Sequence, residues 1–259
     1  MLKTTASTPA PGARALYLGA AQKKRVACTD TALVVINDRR QTYRYPVTRV
    51  ARVVSSTAVD WSGQALALCL RRGIGIAWLD AHGQPLGISY PQARGNSGFA
   101  TALEVMTESA EGLVRYQHWL RARRMDVLIR WGQMLKGDSL ASPQQWETVK
   151  REWVYASEYT VHLPGALRGL CLAYTGGQLA HHGLLPVLWG PQAQRIDLDE
   201  DLCELLWAEM NLCAGSLADR VSAEQSATSL FESWNARNAS ALMLHIYSLQ
   251  RTAMKALTA

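Results

Sequence analysis

Residues 46–79 read PVTRVARVVSSTAVDWSGQALALCLRRGIGIAWL, and the period of their apolar positions changes twice. Over residues 49–56, RVARVVSS alternates and then turns wholly apolar, which predicts a strand entering a core. From Ser62 to Gly73 the spacing is helical. Leu66, Cys69 and Leu70 share one face, Ser62 is placed to cap the start, and Gly73 to close the end. GIGIAWLDAHGQPLGISY then returns to strands, with His82 and Gly83 in a hairpin turn. One short helix therefore interrupts an otherwise all-β front.

Upstream, ARALYLG, KRVACTD, TALVVIND and QTYRYPV are short runs rich in Val, Leu, Tyr and Thr. Polar turns such as 37–40 (Asn-Asp-Arg-Arg) separate them, as between strands. Downstream, the pattern becomes helical from Gly98. FATALEVMTESAEGLVRYQHWLRARRMDVLIRWGQML has no proline and repeats its apolar residues at three and four, so it predicts one long helix or two. LPGALRGLCLAYTGGQLAHHGL predicts another, with Pro164 in its first turn and Gly183 at its end. DEDLCELLWAEMNLCAGSLADRV and SALMLHIYSLQRTAMKAL complete the set. The expected organisation is a tail over 1–13, a β domain over 14–92 and a helical domain over 98–259. PQARGNSG (residues 91–98) forms the linker between the two domains. The fold class is α+β: an N-terminal β-sandwich-like domain with one short helix, then an all-α C-terminal domain.

Composition narrows the class further. The 259 residues are 48% hydrophobic and 19% charged, as in a globular protein with a core. No run approaches the roughly 18 consecutive apolar residues of a membrane span, and the opening MLKTTASTPAPGARA has no apolar segment of a secretory signal. The five cysteines show no CxxC spacing and predict buried free thiols. A cytoplasmic location follows as an expectation. The net charge of +6 is unevenly spread: residues 1–94 carry 13 Lys/Arg against 4 Asp/Glu, while residues 95–259 carry 14 against 17. A basic front suits either solvation or an acidic partner, of which a nucleic-acid backbone is the commonest.

Particular words in this order resemble the CRISPR-associated adaptation integrases of the Cas-one family. The strand pattern P-x-x-x-V-x-x-V-V is met by Pro46, Val50, Val53 and Val54. The helix ending C-x-x-R-G-I-x-(I/V)-x-x-L is met by Cys69, Arg72, Gly73, Ile74, Ile76 and Leu79. The closing G-x-x-L-G is met by Gly83, Leu86 and Gly87. The resemblance is clearest over residues 14–90 and continues more loosely to about residue 220, where LPGALRGLCLAYTGGQLAHHGLLP is similar to a family helix and turn. It implies a role in spacer acquisition, in which prespacer DNA is joined to the repeat by strand transfer. It also implies Mg²⁺ or Mn²⁺ as cofactor, since hard oxygen ligands hold an ion that activates a 3′-hydroxyl. Implied partners are duplex or branched DNA, a small Cas-two-family dimer, and a second copy of the chain through the β domain.

The family holds its cation with a glutamate, a histidine and an aspartate. Its D-L-x-E word falls on Asp201-Leu202-Cys203-Glu204, which makes Asp201 the metal aspartate by resemblance. Glu147, in QWETVKREWVY, is the nearest candidate for the glutamate. The family histidine lies about six residues past a proline that corresponds to Pro186. That count lands on Gln192, and no histidine occurs between His182 and His245.

The residues themselves allow two readings of this region. Asp197, Asp199, Glu200 and Asp201 can be the acid-rich first turn of a helix, with Asp197 or Asp199 as N-cap, each acid contributing roughly 0.3–1 kcal/mol against the helix dipole. Alternatively Asp201 and Glu204, at i and i+3, project together and hold a cation with help from another helix. His181 and His182 end the preceding helix, where histidine is favourable in itself. Arg115, Arg121, Arg123, Arg124 and Arg130 interleave with Tyr116, Trp119 and Trp131. That helix suits either a solvated face over core aromatics or a grip on phosphates with stacking on frayed bases. Lys23, Lys24 and Arg25 offer a second basic cluster at a hairpin. No phosphate loop or nucleophile elbow is present. The expectation is a DNA-binding integrase acting by metal-dependent strand transfer if its site is intact. The alternatives are a non-catalytic relative that binds DNA or scaffolds a complex, and an unrelated helical interaction protein.

Overall fold

In the computed structural model, the residues described are 13–20, 23–80, 85–91, 98–134, 166–184, 195–212 and 227–257. His82, Gly83, Glu147, Pro164, Gln192 and Cys213 lie outside them. The chain divides into two compact units. One comprises residues 1–96 with 176–183, the other 97–175 with 184–259.

The first unit is built on two four-stranded sheets. In one, β1 (Arg14–Leu18), β5 (Val50–Ser56) and β7 (Ile76–Leu79) run parallel in that order, and β8 (Pro85–Ser89) closes the edge antiparallel to β7. In the other the order is β4 (Thr42–Pro46), β3 (Ala32–Asn37), β2 (Lys24–Cys28) and β6 (Asp60–Trp61). Here β4, β3 and β2 are antiparallel, and β6 joins β2 in parallel. The burial of each strand follows its place. β1 alternates, with Leu16 and Leu18 turned inward, whereas β5, flanked by two parallel neighbours, buries Val53, Val54, Ser55 and Ser56 in succession. β4 is an edge, and its exposed Tyr43 and Arg44 and terminal Pro46 suit an edge that must not recruit another strand.

The helix read in the opening stretch is α1 (Gly63–Arg71). The Ser62 side chain accepts from the Ala65 amide at 3.2 Å, and Gly73 ends the turn at φ 78°. Its buried face is Ala65, Leu68 and Cys69, with Leu66 only partly covered. The stripe is thus rotated from the expected Leu66–Cys69–Leu70, because Ala65 and Leu68 meet the sheets while Leu70 turns aside. These residues join Leu33, Val26, Ile74 and Ile76 in one apolar cluster. Trp61 and Trp78 pack edge to face at 6.0 Å. Each indole N–H finds a serine, Ser55 at 3.0 Å and Ser89 at 2.9 Å, which satisfies donors that would otherwise be costly to cover.

The second unit is helical. The stretch from Gly98 forms two helices, α2 (Gly98–Glu108) and α3 (Ala110–Met134), broken at Ser109. Ser109 Oγ accepts from the Gly112 amide at 2.9 Å, and Gly112 sits so close to α2 that a Cβ there would run into the Met106 carbonyl. The remaining described helices are α4 (Ala166–His181), which belongs to this unit only as far as Thr175, α5 (Leu198–Leu212) and α6 (Ala227–Ala256). Gly183 follows α4 at φ 75°, as a helix C-terminus favours. α6 begins well before Ser240, where the apolar repeat first becomes legible. It bends at Asn238 (φ −122°, ψ 20°), whose amide donates to the Trp234 carbonyl at 3.0 Å and so competes with the helical ladder. Phe231, Trp234, Leu242, Ile246 and Leu249 line its buried face. Among the described residues no helix is long and apolar enough to cross a membrane.

Candidate functional site

The acid-rich stretch becomes the start of α5. The Asp197 carbonyl accepts from the Asp201 amide at 2.9 Å, so Asp197 stands at the cap position and Asp199, Glu200 and Asp201 occupy the first turn. Asp199 is buried. Burial, together with a hydrogen bond to Asp197 and the charge of that residue, pushes its carboxyl up to about 7. Glu200 pairs with Arg168 of α4.

One turn further, α5 faces α3. The buried Tyr116 hydroxyl donates to Asp201 Oδ2 at 2.6 Å. Arg124, two turns on along α3, donates to Glu204 Oε2 at 2.6 Å and reaches Asp201 Oδ1 at 3.4 Å. Burial raises the Asp201 carboxyl, and the Tyr116 hydroxyl and Arg124 guanidinium only partly offset this. The Tyr116 phenol is raised strongly by burial and by the neighbouring Asp201 charge, so it remains a hydrogen-bond donor.

A third contact lies deeper along the same helices. Glu209 is buried, takes both guanidinium nitrogens of Arg130 (one at 2.7 Å), and lies 3.2 Å from Nε2 of the buried His245 on α6. Burial works against its ionisation, but His245 and Arg130 outweigh burial and hold the carboxyl below its usual value. Among the described residues the Nδ1 of His245 has no hydrogen-bond partner. Nothing in the spacing of known words marks this triad. Its signal was a single acid in LLWAEMNLC and a single histidine in LMLHIYSL, polar residues set in apolar helical runs.

The remaining residues singled out from the sequence fall as follows. Arg115 pairs with Glu111 at 2.7 Å and Arg123 with Asp126 at 3.0 Å, both along α3. Arg121 is exposed. Tyr116 and Trp119 are core residues with rings 5.5 Å apart, so they are not placed to stack on bases. In the first unit Lys23 is exposed, Lys24 Nζ donates to the Gly19 carbonyl at 2.9 Å, and Arg25 lies 3.7 Å from Asp60. His181 and His182 stand edge to face at 5.9 Å. Burial, with a smaller effect from His181, lowers the His182 pKa.

A divalent cation needs several oxygens free to turn toward it. Both oxygens of Asp201 and one of Glu204 are engaged, and a guanidinium already lies between the two groups. Among the described residues no cluster of three acidic, histidine or cysteine side chains could hold a metal ion. The arrangement does not fit a bound Mg²⁺ or Mn²⁺.

Residues 17–123 match the family model described as CRISPR associated protein Cas1. Over that segment the chain is similar to the Cas1 family. The matched range takes in the strands of the first unit from Tyr17 onward, α2, and α3 as far as Arg123, including Tyr116; Arg124, Asp201 and Glu204 lie beyond it. Among solved structures, a Cas1 protein from Thermotoga maritima is 14% identical with a TM-score of 0.72, covering 94% of this chain and 96% of that one. A casposase bound to its integration product is 16% identical with a TM-score of 0.56, covering 82% and 74%. A TtCas1–DNA complex is 14% identical with a TM-score of 0.52, covering 95% and 91%. At these identities the likeness is one of fold: strands in two sheets followed by helices. No curated protein sequence matches the chain.

Proposed function

We propose that this chain belongs to the Cas1 family and serves CRISPR adaptation as a DNA-binding member in which the Asp201 region is structural. The observation that carries this reading is the engagement of Asp201 and Glu204 by Tyr116 and Arg124. DNA as partner is supported by the fold shared with a Cas1–DNA complex and with a casposase bound to its integration product. The charge surplus of residues 1–94 supports it too. The exposed Lys23, Arg39, Arg40, Arg44 and Arg49 supply cations of the first unit, and Arg121 one of the second. By family resemblance the chain pairs with a second copy through its β domain and assembles on a small Cas-two-family dimer.

The second reading is metal-dependent strand transfer, with Mg²⁺ or Mn²⁺ at Asp201 and the glutamate role taken by Glu147. Its support is the D-L-x-E word at 201–204. A strand-transfer and disintegration assay on branched DNA with Mn²⁺, run on wild type and Asp201→Ala, separates the two. DNA binding that weakens steeply with salt, with no strand transfer by either protein, is the expected result. Strand transfer by wild type that disappears in Asp201→Ala would overturn it. A protein with no affinity for DNA at low salt would remove the DNA-binding reading altogether.

A further inference from the structure

We infer that the Arg124 guanidinium is the resident cation of the Asp201–Glu204 pair, so that arginine and a divalent ion compete for one place. Three observations converge on that place. Asp201 and Glu204 lie at i and i+3 on α5, on the side facing α3, where they would repel one another if both were ionised and unpartnered. Arg124 reaches both, at 3.4 and 2.6 Å, and is only about one-third exposed, so its charge is directed at the pair rather than at solvent. The Tyr116 hydroxyl takes the other Asp201 oxygen at 2.6 Å. A divalent ion bound between these carboxylates would stand within a few ångströms of a permanently charged guanidinium, and Arg does not deprotonate to make room. The ion can therefore enter only when the Arg124 side chain leaves. A guanidinium gives one positive charge in a planar fork where a metal gives two at a point, so the pair is held in place without being activated.

This inference concerns the same carboxylates as the functional reading, and its test contains no DNA, so failure of one is distinguishable from failure of the other. The experiment is titration with Mn²⁺ alone, followed by the EPR signal of free Mn²⁺ and by unfolding temperature. Wild type and Asp201→Asn are expected to leave the same free Mn²⁺ and to show no Mn²⁺-dependent change in unfolding temperature. Arg124→Ala is expected to unfold at lower temperature than wild type without metal and to recover several degrees in millimolar Mn²⁺. Adding Asp201→Asn to Arg124→Ala should abolish that recovery. Mn²⁺ binding by wild type that is lost in Asp201→Asn would overturn the inference. So would an Arg124→Ala protein that folds but does not respond to Mn²⁺. If Arg124→Ala does not fold, Arg124→Gln, which keeps the length but not the charge, gives the same comparison.

Discussion

At the residue scale, α5 carries two buried acids with opposite proton affinities. Glu209 is held low by His245 and Arg130 against the effect of burial. Its contribution to stability is fully present above the unfolded carboxyl value of about 4.3 and is lost as pH falls through the lower folded one. Asp199 is pushed up to about 7. Its proton is bound more tightly when folded, so stability is fully present below about pH 3.9 and declines as pH rises toward 7. Asp199→Asn should therefore melt higher than wild type at pH 8 and lose that advantage near pH 4, in thermal unfolding followed by circular dichroism. Arg130→Ala leaves Glu209 buried with His245 alone and should cost about 1–3 kcal/mol, measured by urea denaturation at pH 7. Tyr116→Phe removes a hydrogen bond to a charged group at constant shape and should cost about 1.5–3 kcal/mol by the same measurement. The carboxylates were legible in the sequence as a cluster, but their partners were not. A tyrosine 85 positions away from Asp201 carries no local signal, because pairing across helices is decided by packing, not by spacing.

At the element scale, the sequence was most informative where a single residue controls backbone geometry. Ser62 and Gly73 marked both ends of α1. Gly183 marked the end of α4. The apolar stripe of α1 was read one residue off, since a run such as ALALCL gives two adjacent stripes of similar hydrophobicity and only the facing sheets choose between them. The Ser109 break was invisible to periodicity because α2 and α3 continue the same spacing on both sides of it. Gly112 is the residue that permits the break. Gly112→Ala would force α3 away from the Met106 carbonyl and should destabilise the helical unit by about 1–3 kcal/mol. Hydrogen exchange would show faster opening at the start of α3 than along α6.

At the scale of the whole molecule, the α+β order was readable because the period changes from two to three and a half at the same point where the charge surplus ends. The contacts that tie the helices together were not. Tyr116, Arg124 and Arg130 meet Asp201, Glu204 and Glu209, so the polar contacts ascend α3 and α5 together at three heights. The partly exposed Arg124–Glu204 pair contributes only about 0–1 kcal/mol and the two contacts to buried groups about 1–3 kcal/mol each, so apolar burial accounts for most of the attraction between the helices. Yet apolar faces interlock nearly as well after one helix slides along another by a turn, about 5.4 Å. Such a slip would break all three polar contacts together and leave three acids facing the wrong neighbours. Replacing Tyr116, Arg124 and Arg130 with Leu, together with their three acids, should keep the helical circular dichroism while broadening the amide NMR spectrum. Sharp, wild-type-like lines would show that apolar packing alone fixes the alignment. The ladder thus works as a vernier: too weak to hold the helices together, it makes one alignment out of several the only one in which every charge is answered.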